Sequence, residues 1–148
     1  MPNHSLGTLV ALFAFGAALC PVSTHAHALD AQLACKARPH AFIAELIRNR
    51  YIEPKPMHVA PNSVNAFRST RDAGLTAFGF PVQAVLGYEQ HDEMFRSGSG
   101  KALARPLYGV VLSGPSETVE TRLRQAGSNA AVHEVIPLMM TAVTCSPS

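Results

Sequence analysis

Residues 75–88, LTAFGFPVQAVLGY, carry the clearest alternation in the chain, with Phe78, Phe80, Val82, Ala84, Leu86 and Tyr88 recurring at every second position. A period of two is the signature of a strand with one buried face. The opposite face, with Gly79, Pro81, Gln83 and Gly87, is small and uneven. That suits a strand that bends or lies at an edge, because proline cannot donate to a ladder. An apolar face of this length needs another layer to cover it.

The flanking sequence supplies that layer. From Asp30 to Ile47 the chain reads helical, with Asp30 able to cap and Phe42, Ile43, Leu46 and Ile47 at the three-and-four spacing of one buried face. Pro39 fits the first turn of the main helix, which leaves Leu29 to Arg38 as a separate short turn or helix carrying Cys35. Glu53-Pro54-Lys55-Pro56 ends the helix. Val64 to Arg68 reads as a short strand, and Thr70 to Gly74 as a turn. Residues 89–106, EQHDEMFRSGSGKALARP, read as a polar, flexible connection.

Tyr108 to Leu112 follows as a buried strand. Pro115 is then expected at the first position of a second helix that turns Val119, Leu123 and Ala126 inward, pairs Glu120 with Arg124 outside and stops at Gly127. Ala130 to Cys145 is a last extended run interrupted by Pro137. The order predicts an α+β fold: a two-layer sandwich with a mostly antiparallel sheet of about four or five strands and two helices on one face. With 148 residues in all, one domain is expected, over residues 29–148.

Residues 1–28 stand apart, because they contain no Lys, Arg, Asp or Glu. Leu6 to Cys20, LGTLVALFAFGAALC, is shorter than the roughly 18 to 20 apolar residues of a membrane span. It fits the apolar centre of a secretory signal peptide, and Ala26-His27-Ala28 has the small-x-small form of a cleavage site. The start, Met1-Pro2-Asn3-His4-Ser5, lacks the usual Lys or Arg. That leaves an uncleaved amphiphilic anchor as the rival. Leu19, before Cys20, argues against lipid attachment there. The expectation is removal of residues 1–28 and export, to the periplasm of a bacterium, with no membrane span after processing.

Cleavage would remove Cys20 and leave Cys35 and Cys145, which should pair in an oxidising compartment. A bridge closing a loop of about 110 residues stabilises a chain by on the order of 4 to 5 kcal/mol in the chain-entropy picture. A disulfide also removes the free thiolate that a cysteine nucleophile requires.

The formal net charge of +2 is too mild for a nucleic-acid partner. Ser97-Gly98-Ser99-Gly100-Lys101 resembles a phosphate loop only superficially, since Phe95 stands where its first glycine belongs and Ala102 replaces the hydroxyl. Glu89, His91 and Glu93 would point one way in an extended chain and could hold a divalent metal, or His91 with Asp92 could exchange protons. A solvated acidic turn is the plainer interpretation. His40, His58 and His133 are scattered, and no serine sits in a nucleophile elbow. Arg68, Arg71, Arg96, Lys101 and Arg105 fall in connections flanking the central strands. If those connections share one end of the sheet, they form a basic rim for an acidic partner or a carboxylate-bearing cell-wall fragment.

No pattern calls for a cofactor. The leading expectation is a non-enzymatic exported protein that binds a protein or cell-envelope partner, as an inhibitor, an immunity protein or an envelope accessory factor. Two alternatives stand beside it: a small periplasmic hydrolase or metal-dependent enzyme using the His91 region, and a binder of small apolar ligands.

Overall fold

The computed structural model describes residues 26–148. The expected leader centre and Cys20 lie outside the described residues. In chain order the elements are β1 (His27–Ala28), a 3-10 turn (Gln32–Ala34), α1 (Pro39–Arg48), β2 (His58–Val59), β3 (Asn65–Phe67), β4 (Leu75–Ala77), β5 (Phe80–Tyr88), β6 (Leu107–Ser113), α2 (Ser116–Gln125), β7 (Ala131–Ile136) and β8 (Met140–Cys145).

The α+β character is as expected, but the sheet has eight strands rather than four or five. A plain two-layer sandwich is also too simple, because the sheet forks along one edge of β5. Phe80 and Pro81 pair with β4, whereas Val85 to Gly87 pair with β3. β2 extends the second branch, and β1 extends the first in parallel, which makes the sheet mixed. A nine-residue strand offers more edge than a three-residue neighbour can pair, so two short strands divide it. On its other side β5 continues antiparallel through β6 and β8 to β7.

The run 75–88 is therefore a hairpin and not one strand. Phe78 (φ 53°) and Gly79 (φ 85°) form its tip. The Phe78 N–H donates to Asp30 Oδ1 at 2.9 Å, so Asp30 holds this turn instead of capping a helix. A bulge between Val82 and Ala84 then shifts the alternation. Val85 and Gly87 face the helices, while Ala84 and Leu86 turn to the opposite face, contrary to the simple period of two.

Helix α1 begins with Pro39, which needs no donor there, and buries Phe42, Ile43 and Leu46. Each fully buried side chain of this kind contributes roughly 1.5–3 kcal/mol. Gly87 sets the approach: a Cβ there would come within 2.8 Å of Ile43 and 2.9 Å of Phe95. Helix α2 starts at Ser116, so Pro115 occupies the N-cap, one position earlier than expected. Val119 and Leu123 are fully buried, Gly127 (φ 75°) follows the C-cap, and Arg124 meets Glu120 at 3.5 Å on the exposed side. Since β6 and β7 are each antiparallel to β8, they run parallel to each other. Helix α2 is the crossover between them.

Cross-strand rows show where the core lies. Val85, Val110, Val143 and Val132 form a row on the helix-covered face. Ala84, Val111, Ala142 and His133 form the adjacent row on the outward face, which neither helix covers. Cys35, in left-handed conformation after the 3-10 turn, is bonded to Cys145 at the end of β8, with a Cα separation of 5.0 Å. Ala28 and His27, the last residues of the expected leader, form β1, and His27 stacks on Tyr51 at 4.2 Å. Leu29, the next residue, is fully buried.

Candidate functional site

The polar run after β5 does not continue as a strand. The ladder ends at Tyr88, and His91 takes a left-handed conformation (φ 60°). Glu89, His91 and Glu93 therefore do not project as an extended trio. Glu89 forms an ion pair with Arg38 at the start of α1, and Asp92 accepts from His40 Nδ1 at 2.7 Å and from the Met94 N–H at 2.9 Å. A cavity of about 430 Å³ opens among Tyr88, Glu89, His91, Asp92 and Ser97. Its acids are partly committed to tying the connection onto α1. Among the described residues, no three His, Cys, Asp or Glu side chains lie close enough to share a metal ion.

The glycine-rich stretch is not a loose loop. Asn65, fully buried at the start of β3, takes the Arg96 N–H on Oδ1 and donates to the Arg96 and Ser63 carbonyls, each at 2.9 Å. Gly98 N–H donates to Ser63 Oγ, and Gly100 N–H to the Pro61 carbonyl. A Cβ at Gly98 would run into the Ala60 carbonyl oxygen. The glycines serve close backbone packing, which explains their number without a phosphate. Composition suggested flexibility because the partner segment, residues 60–65, is distant in sequence.

The basic residues do not form one rim. Arg96, Lys101 and Arg105 belong to the β5–β6 connection, at the end of the sheet where Gly87 faces Asn65 and Tyr88 faces Leu107. Arg68 and Arg71 leave the other end of β3. Arg71 borders a separate cavity of about 450 Å³ together with Asp72, which offsets its charge. Arg105 borders a different cavity, with Asn129, His133, Thr144 and Ser146 and no carboxylate among its lining residues.

The most exposed apolar group lies elsewhere. The run Ala130 to Cys145 is a hairpin, with Met139 N–H bonded to the Ile136 carbonyl across its turn. Leu138 is 80% and Met139 64% exposed, and Val135 and Ile136 are exposed beside them. Among the described residues, β7 pairs only with β8 and ends the strand order. It contains neither Pro nor Lys nor Arg, the usual protections of an edge, although a bulge falls between Glu134 and Ile136. The sequence reading passed over this surface, because Ala130 to Cys145 reads as one extended run interrupted by Pro137, with no exposed turn assigned there. Its one available signal was Pro137, which marks a turn and so exposes its neighbours.

No protein-family model, no curated protein and no solved structure matches the chain. Among the described residues, no helix is long and apolar enough to cross a membrane.

Proposed function

We propose that this is an exported, non-enzymatic binding protein whose partner is another protein of the cell envelope. The docking surface is the free edge of β7 with the apolar turn beyond it. The observation that carries this reading is the exposure of Leu138 and Met139 at the end of an edge strand whose outer side has no partner among the described residues. Edge strands accept extended segments through main-chain hydrogen bonds, and neighbouring apolar side chains add affinity. The occupant is an extended, largely apolar segment of the partner, added as a further strand. A second copy suits β7 less well. Antiparallel self-pairing about its middle sets His133 opposite His133 or Glu134 opposite Glu134, and like residues of this kind repel when charged. The Cys35–Cys145 bond accords with an oxidising compartment.

The test compares capture from an envelope fraction by the wild-type protein, by Leu138→Asp with Met139→Asp, and by Arg96→Glu with Lys101→Glu. Loss of the captured protein in the first pair alone supports the reading. Loss only in the second pair would restore a basic docking surface, and wild-type dimerisation abolished by the first pair would point to a second copy. Stoichiometric metal lost with His91→Ala in a folded protein would favour the enzymatic alternative.

A further inference from the structure

Beside the disulfide, where β7 and β8 meet the start of β6, a cavity of about 370 Å³ opens toward the outward face. Its polar side chains are Arg105, Asn129, His133, Thr144 and Ser146, and no carboxylate lines it. Arg105 makes no ion pair among the described residues, whose arginine–carboxylate pairs engage Arg38 and Arg124 instead. His133 makes no side-chain hydrogen bond there either. Alternation along β7 turns the adjacent acid, Glu134, to the opposite side of the sheet from His133. Guanidinium, imidazole, amide and hydroxyl groups thus line one cavity to which the described residues contribute no carboxylate.

The walls are held in place. Ala131 and Thr144 are cross-strand partners, and Cys145 is bonded to Cys35. His133 and Thr144 are therefore carried on paired strands, which lowers the ordering cost of binding through them. Arg105 presents a planar fork suited to two oxygens of one group.

We infer that this cavity binds a small oxyanion, a carboxylate or phosphate group, with Arg105 as its principal donor and His133 beside it. The inference does not require a partner on the β7 edge, although Ala131 and His133 of β7 line the cavity. A carboxylate could come from a cell-wall peptide, and a phosphate from a free ion or an envelope polymer; the chemistry of recognition is shared.

The test is a titration of the purified protein with inorganic phosphate and, separately, with acetate, followed through backbone amide resonances. Saturable shifts centred on Ala131, His133 and Thr144 with either probe are expected, and the probe that binds more tightly names the source. Arg105→Gln should weaken binding at least about tenfold through loss of a charge-assisted contact. His133→Gln should weaken it less, and Arg71→Gln not at all. Both cavity residues are exposed, so thermal melting should stay unchanged and show that the variants fold. Absence of saturable shifts with both probes, wild-type affinity in Arg105→Gln, or an equal loss in Arg71→Gln would overturn the inference.

Discussion

The two ends of β8 differ in almost every physical respect. At the Cys145 end the chain is tied down by the disulfide, by fully buried Tyr108, by Asn65 reaching across to Arg96, and by the Arg38–Glu89 ion pair and the His40–Asp92 hydrogen bond at the start of α1. At the Met140 end the turn 137–139 projects an exposed Leu and Met, and its attachments to the rest of the fold are the Gly114 N–H donating to the Met139 carbonyl and, at its base, the buried Thr141 hydroxyl donating to the Gly114 carbonyl. The polar, glycine-rich connection is the fixed one, and the apolar turn is the free one. Composition alone suggests the reverse. A polar loop is held when a buried side chain satisfies its backbone groups, and apolar residues left in water at a sheet edge are the basis of the docking surface proposed above.

Removing the disulfide with Cys35→Ser and Cys145→Ser should have the largest effect, a loss of about 4–5 kcal/mol by the loop-closure argument, measured by urea unfolding. A loss below about 1 kcal/mol would mean that the other contacts hold the Cys145 end without it. Asn65→Ala should come next, at about 2–3 kcal/mol, because it strips buried backbone groups of their partners. Hydrogen exchange should then accelerate at Arg96 and Gly98 and stay unchanged at Gly114. Uniform acceleration would erase the distinction between the two ends.

A smaller effect belongs to Tyr108, whose hydroxyl donates to the Gln32 carbonyl at 2.9 Å. Burial raises its pKa above the ordinary 10.0, partly offset by the Ala37 N–H that it accepts. The folded state therefore holds the proton more tightly than the unfolded chain. This contribution is complete below pH 10.0 and is lost as pH rises through the higher folded value. Tyr108→Phe should cost about 1 kcal/mol at neutral pH and flatten that alkaline decline. The smallest change is expected at the free end, where Leu138→Ser or Met139→Ser should alter stability by no more than about 0.5 kcal/mol. A large loss there would show that the turn is part of the core.

Much of the architecture was legible because its signals are local. Pro39 and the Phe42–Ile43–Leu46 spacing mark α1, Gly127 closes α2, and Cys35 and Cys145 are bonded as expected. What escaped depends on pairing. The turn at Phe78–Gly79 and the bulge after Val82 both hide inside an apparently unbroken alternation, so β4 and β5 merged and Ala84 and Leu86 were assigned to the wrong face. The forked sheet was invisible because two- and three-residue strands such as β1 and β2 exist only through their partners. For the candidate site, residue types were identified but not their company. Arg105 was singled out for its charge, yet the neighbours that give it a cavity, Asn129, His133 and Thr144, come from the far end of the chain.

The most direct measurement is photo-crosslinking in cells that make the protein, with a photoreactive residue placed at Leu138 in one strain and at Lys101 in another. A discrete protein adduct at 138 and none at 101 is expected. An adduct at 101 alone, equal adducts at both, or none at 138 would contradict the assignment of the free end of β8 as the surface through which this protein acts.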